Sequence, residues 1–314
     1  MKYFSTQQTA KILGYNDDSY VRQLIRQGHL KAVKIGKSWG VSEKSLHQLR
    51  IKNTIKNRFK LLLSYNYELR TIIDGYMDKP FSVDSEKRAV AQMFLGKSYK
   101  THDAAITLCE KGFGEDAAII TRSLFENFIN LKYILSVEDD GLATRYMEFD
   151  FVLQKTMLDY FQKKPNLLKI LEERESRPKP DDTDIKTINK KSKEVIKKHN
   201  FDIRTGWSGK TIKKMASSVG RLEQWETIYR LQCQLSHPSP RGMNGYFSKD
   251  EDGLVMDVGR NENYVEESLI SAFDFFGSTI DIVGDLMNWD TEKELSSLLE
   301  RFKTEVEESS KKIN

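Results

Sequence analysis

Two residues of this chain have the types and the spacing for acid–base work beside a held anion. They are Arg230 and His237, in the run Tyr229-Arg230-Leu231-Gln232-Cys233-Gln234-Leu235-Ser236-His237-Pro238. An imidazole titrates near neutral pH and can accept or return a proton there. A guanidinium is always charged and can hold negative charge that develops during a reaction. Seven positions make almost two helical turns, so both side chains lie near one face if the helix reaches His237. Pro238 and Pro240 stop the helix just beyond it. A His before Pro at a helix end is also a common structural cap, and both readings stay open on spacing alone.

The helices that must position this pair are legible in the apolar periodicity. Residues 221–236 predict a helix with Leu222, Trp225, Ile228, Tyr229 and Leu235 toward the core. Residues 115–136 predict a central apolar helix in which Arg122 and Glu126 sit at i and i+4. Charges in so apolar a helix are costly unless paired, so the two either form a buried ion pair or line a cavity. Further helices are expected over 86–111, 142–162, 264–288 and 291–314, with a loop or short hairpin over 241–259. The stretch 163–204 is rich in Lys and broken by Pro165, Pro178 and Pro180. It reads as a mobile, partly helical basic insertion, whose charge is that of a solvated face or of a nucleic-acid clamp. Gly209-Lys210-Thr211 lacks the upstream glycine and strand of a phosphate loop, which argues against an NTPase.

The first 50 residues have a different character. Ser5 or Thr6 caps a short helix that Gly14 stops, and Asn16-Asp17-Asp18-Ser19 turns into a second helix with Val21, Leu24 and Ile25 as its apolar stripe. Val33 and Ile35 alternate with Lys34, and Val41 follows a Gly-containing turn, which predicts a small hairpin. Ser42 caps a third helix bearing Leu46 and Leu49. Residues 1–60 hold 13 Lys/Arg against 3 Asp/Glu, a net of +10, while the remaining 254 residues carry a net of −6. Positive charge concentrated at one end is the electrostatic footprint of a polyanion binder.

This segment resembles the winged helix-turn-helix of the excisionase and MerR-like families. The residues that carry the likeness are the Thr6-to-Gly14 helix, the Val21-to-Gly28 helix, the Ala32-to-Trp39 wing and the Ser42-to-Leu49 helix. The resemblance implies double-stranded DNA as partner, the second helix entering the major groove and the wing on the backbone. Ser19, Tyr20, Arg22, Gln23 and Arg26 would then face DNA, with Lys34 and Lys37 at phosphates and Trp39 packing the hairpin. Gly40 stands where relatives often have Arg.

The Arg230/His237 spacing, with the Arg122/Glu126 helix and the helical context, resembles the R-x4–6-H signature of the HEPN superfamily. The chain departs from it in placing Leu231 directly after the arginine. This resemblance implies an all-α domain and metal-independent RNA cleavage, in a homodimer whose two motifs share one cleft. Arg230, His237, Arg122 and Glu126 are the candidate catalytic residues on that basis. Arg122 to Asn127, Trp207-Ser208-Gly209 and Tyr229 to Pro240 together also look like an uncharacterised bacterial helical family.

The fold class expected is mainly α. It comprises a winged helix-turn-helix domain over 1–50, a linker helix over 51–75, a HEPN-like helical domain over 76–300, and a charged tail over 301–314. The functional expectation is a DNA-binding protein with an endoribonuclease effector of toxin or phage-defence type. The alternative is a non-enzymatic transcriptional regulator whose helical domain dimerises and senses a ligand or partner. No metal or cofactor is expected. Cys109 and Cys233 lack metal-ligand spacing, the N-terminus lacks an apolar signal stretch, and no run is long enough for a membrane span, which together fit a reducing cytoplasm.

Overall fold

The computed structural model describes residues 2–77, 84–164, 166, 182–201, 205–237, 239–250, 253–256 and 258–311. The chain is mainly α, with a small winged helix-turn-helix at its start and a larger helical region after it. It divides into two compact units. One holds residues 1–79, 97–125 and 227–314, the other residues 80–96 and 126–226.

In the first unit, strand β1 (Tyr3–Ser5) runs into helix α1 (Thr6–Leu13). Ser5 Oγ accepts from Gln8 N–H at 3.1 Å and Gln8 Oε1 accepts from Ser5 N–H at 2.9 Å, a reciprocal cap. Gly14, at φ 76°, closes the helix in the left-handed conformation. Helix α2 (Ser19–Arg26) follows, then strands β2 (Ala32–Ile35) and β3 (Ser38–Ser42). The sheet order is β1-β3-β2, antiparallel throughout, with Phe4 opposite Val41 and Lys34 opposite Trp39. The wing therefore has a third strand, given by the N-terminus, that the sequence reading left out; three residues are too few to show a period. Ala10, Val21, Leu24, Leu30, Val41 and Leu46 form this module's own core.

Ser42 caps helix α3, which runs from Glu43 to Arg58. Helix α4 (Lys60–Met77) follows after a break at Phe59, where φ is −104° and ψ 20°. The 51–75 stretch is thus shared by two helices, the first of which begins in the DNA-binding module.

Helices α5 (Glu86–Glu110) and α6 (Gly114–Ile134) each supply residues to both units. In the first unit, α4 packs with α13 (Val265–Met287) and α14 (Glu292–Lys311). Leu269, Phe273, Phe276, Ile280 and Val283 of α13 are buried. Phe302 lies in the expected charged tail, yet it is buried and stacks on Phe273 at 3.9 Å, with Tyr65 edge-on. At the centre, Asn66 donates to the Leu62 and Leu269 carbonyls, which leaves its Oδ1 to accept from His102 Nε2 at 2.9 Å. His102 is fully buried, stacks on Phe276, and its Nδ1 has no partner. Burial pushes its pKa down to about 3. Both cysteines are free, and burial pushes the Cys109 thiol up to about 12.

In the second unit, helix α7 (Gly141–Gln162) packs on α8 (Asp182–His199). Trp207 is the anchor beside them. Its ring lies against Tyr146 and Tyr133, its Nε1 donates to Asn130 Oδ1 at 2.7 Å, and its carbonyl accepts from Arg145. Gly209-Lys210-Thr211 serves as a turn and a cap, with Thr211 Oγ1 accepting the Lys214 N–H ahead of helix α9 (Ile212–Ser218). Of the expected 163–204 insertion, residues 165, 167–181 and 202–204 lie outside the described residues.

Candidate functional site

Two sets of residues carry chemistry, and both can be built within the first unit. The first is the surface of the helix-turn-helix. Burial of Val21 and Leu24 turns Ser19, Tyr20, Arg22, Gln23 and Arg26 outward on α2, and all five are exposed. Lys34 and Lys37 are exposed on the wing. The Lys34 ammonium lies over the Trp39 ring at 5.8 Å, so this tryptophan packs its hairpin partner while staying 38% exposed.

Gly40 sits on the central strand β3. A Cβ there would lie 2.6 Å from Ile35 Cδ1 and 3.3 Å from Tyr3 Cβ. The space for a larger residue is taken by Ile35 and by β1.

Asp18, legible in the sequence only as part of the turn into α2, has a bracing role here. Asp18 accepts from Thr6 Oγ1 at 2.5 Å and from Arg22 Nε and Nη2 at 3.1 and 2.9 Å. It joins the start of α1 to α2 and holds the Arg22 guanidinium in place. The Thr6 hydrogen bond, and then Arg22, keep its carboxyl below the usual range. The i, i+4 spacing of Asp18 and Arg22 was the available signal.

The second set surrounds Arg230 and His237. Their segment is not one regular helix. Leu222–Gln224 forms a short turn (α10), Trp225–Tyr229 is a wider π turn, and α11 runs from Arg230 to Ser236. The π turn shifts the helical phase just before Arg230, a distortion frequent at functional sites. It also alters the expected core face. Tyr229 and Gln232 are buried, while Leu222, Trp225, Ile228 and Leu235 are only half-buried.

His237 is the C-cap. Its N–H still bonds the Cys233 carbonyl at 3.2 Å, but its backbone turns extended at φ −111° and ψ 147°. The helix therefore stops at Ser236, and Pro238 lies outside the described residues. Arg230 and His237 are both exposed, and among the described residues neither side chain makes a hydrogen bond or ion pair. The cap is braced from beyond. Ser239 N–H donates to the His237 carbonyl at 2.6 Å and Ser239 Oγ to that of Gln234 at 2.9 Å. Helix α12 (Pro240–Met243) then passes so close that a Cβ on Gly242 would lie 2.5 Å from the Gln234 carbonyl oxygen.

Arg122 is the charged group that α6 brings to this segment. Its Nη1 donates to Ser236 Oγ at 2.9 Å, and its guanidinium lies 5.2 Å from the Tyr229 ring centre. Ser236 is the residue directly before His237. One position away on α6, Thr121 Oγ1 accepts from the buried Gln232 Nε2 at 2.8 Å. Tyr229 was legible as a core contact, but the braces at Thr121, Gln232 and Ser236 were missed in the sequence, where nothing local links residue 122 to residue 236. Glu126 stands one turn further along α6, half-buried, among the residues of the second unit.

Chemically, α11 carries an exposed guanidinium at its first residue, Arg230, and an exposed imidazole at its C-cap, His237, while the half-buried Arg122 guanidinium clamps its last residue, Ser236. Among the described residues no group of three His, Cys, Asp or Glu side chains is placed to hold a metal ion. No helix among them is long and apolar enough to cross a membrane.

Comparison with known proteins finds two matching families. Residues 3–53 match a helix-turn-helix domain, so the chain carries a DNA-binding module at its start. No curated protein and no solved structure matches the chain. Residues 88–254, more than half of it, match a family of unknown function, and the chain is therefore a member of the DUF5677 family.

Proposed function

We propose that this protein is a DNA-addressed endoribonuclease of the HEPN type, metal-independent and active in the cytoplasm as a toxin or phage-defence effector. The observation that carries the reading is the Arg122–Ser236 clamp. It fixes a guanidinium next to the residue that precedes an exposed, unpaired His237. In this reaction His237 takes the proton of a ribose 2′-hydroxyl. That oxygen attacks the adjacent phosphorus to close a 2′,3′-cyclic phosphate, the bond to the 5′-oxygen breaks, and the 5′-oxygen takes up a proton from water. Arg230 holds the charge that builds on the phosphoryl oxygens, and Arg122 positions the helix end. In a homodimer the same residues would recur across a two-fold axis. Glu126, a further candidate on the Arg122 helix, is given no step in this reaction.

The DNA address is proposed for α2 in the major groove. Ser19, Tyr20, Arg22, Gln23 and Arg26 would meet bases and phosphates, with Lys34 and Lys37 on the backbone.

The test is cleavage of total cellular RNA and transfer RNA in EDTA by wild type, His237→Ala and Arg230→Ala. Cutting by the wild type and loss in both variants is expected. Wild-type cutting that survives His237→Ala would remove the mechanism.

A second reading draws on a different surface. The hairpin β4 (Phe247–Asp250) and β5 (Gly253–Met256) leaves Phe247, Leu254 and Met256 exposed, with Leu254 at 72%. Apolar side chains gathered at one place suit a self-association surface. They support a non-enzymatic regulator whose helical domain dimerises and senses a ligand. That reading predicts no cutting by any variant and a dimer that Leu254→Glu with Met256→Glu dissociates.

A further inference from the structure

We infer that α8 carries a track for the phosphodiester backbone of single-stranded RNA, formed by Lys186, Lys190, Lys193 and Lys197. The inference rests on the RNA-directed reading above. The steps between these lysines are four, three and four residues, which puts them in one line along the helix. All four are exposed. The opposite side of α8 buries Ser192 and Val195, half-buries Ile185 and Ile188, and faces α7.

The remaining lysines between them and the helix end are occupied. Lys191 lies over the Phe151 ring at 4.8 Å, and Lys198 holds both Glu148 oxygens at 2.9 Å. Among the described residues the four stripe lysines have no ion-pair partner. A merely solvated helix face normally intersperses signs, because like charges three or four residues apart repel. Acids on this helix are Asp182 and Asp184 in its first turn and Glu194 beside the line, so along the Lys186-to-Lys197 stretch four stripe lysines face a single acid.

The helix is also pinned. His199 contacts Glu148, and its carbonyl accepts from Arg145 Nη1 at 2.9 Å. A row of like charges held on a fixed helix over about 16 Å is arranged for a polyanion strand. Helix α7, which packs on α8, exposes Leu153, Met157 and Tyr160 at i, i+4 and i+7. Of these Tyr160 offers an aromatic face on which an unpaired base can stack, which a duplex would hide.

The experiment is equilibrium binding of a labelled oligo(U) strand to the full chain carrying His237→Ala, so that no cleavage intervenes. It is repeated with the four lysines changed together to Gln, and together to Arg. The Gln set should weaken binding at least tenfold and reduce the slope of log K against log salt by about 0.7 per lysine. The Arg set should bind like its parent, and duplex DNA binding should not change in either. Unchanged oligo(U) affinity in the Gln set, with unchanged helical circular dichroism, would overturn the track. So would a parent protein that ignores oligo(U) but binds phosphatidylserine vesicles, which would assign the stripe to a lipid surface. If the Gln set fails to fold, Lys190→Gln alone must still lower the slope. Strand bound but never cut by protein with native His237 would sink the nuclease reading and leave the track standing. Strand cut by protein with native His237, and bound equally well by the Gln set, would do the reverse.

Discussion

At the scale of single residues, burial and exposure give opposite meanings to the same chemistry. His102 and His237 are both imidazoles. His102 sits in the core with Nε2 bonded to Asn66 and Nδ1 facing no partner, so it is a structural residue that must stay neutral. Its folded pKa of about 3 lies below the ordinary 6.5, so the unfolded chain takes up the proton first. Stability from this site is therefore full above pH 6.5 and is lost as pH falls toward 3, by about 1.4 kcal/mol per pH unit at most. Urea unfolding at a series of pH values should show that loss, and His102→Phe should flatten the profile whatever its offset at neutral pH. An unchanged profile would mean that His102 is not the group responsible. Arg230 and His237 are exposed, so replacing either by Ala should change stability by no more than about 0.5 kcal/mol. The proposed chemistry instead requires His237→Ala to lower the cleavage rate by roughly 10²–10⁴-fold. Arg122→Ala differs in kind: it removes the Ser236 and Tyr229 contacts, so it should lower both the melting temperature and the cleavage rate. Cleavage lost on heating-stable Arg122→Ala would instead argue that this arginine touches the RNA.

At the scale of elements, local signals predicted well and long-range ones did not. The capped α1, the Gly14 stop, α2 and the Ser42 cap were legible because each is specified within four residues. Strand β1 was not, since its pairing partner β3 is more than thirty residues away. The π turn over Trp225–Tyr229 was hidden because an apolar pattern cannot reveal one extra residue in a turn. Of the candidate site, spacing put Arg230 and His237 on one face only if the helix reached His237, and it stops at Ser236; the Arg122 clamp needed the fold to bring α6 to α11. The Asp18 brace gives α2 its own test. Arg22→Ala with Arg26→Ala should weaken duplex DNA binding and lower the salt slope by about 1.8, close to 0.9 per lost phosphate contact. Asp18→Asn removes an acceptor charge from Arg22 and should move affinity the other way, with a steeper salt dependence. If both variants leave DNA binding untouched, α2 is not the element that meets DNA.

At the scale of the whole molecule, charge separates the DNA-binding module from the rest of the chain. The first 60 residues carry +10 and the remainder −6, so attraction to duplex DNA belongs to one end of the chain. The chemistry proposed above uses Arg122, Arg230 and His237, none of which belongs to the DNA-facing set. Address and action should therefore be separable by mutation in the intact protein. His237→Ala should bind operator-length duplex as wild type does while failing to cut RNA. Arg22→Ala with Arg26→Ala should cut RNA in solution at the wild-type rate while losing the duplex. Both halves must hold in the same preparations. A DNA-binding variant that also loses cleavage, with its helical circular dichroism intact, would mean that the module does more than deliver the effector. If RNA then also weakens or strengthens duplex binding, saturating duplex must shift RNA affinity by the same factor, because coupling between two binding sites is reciprocal.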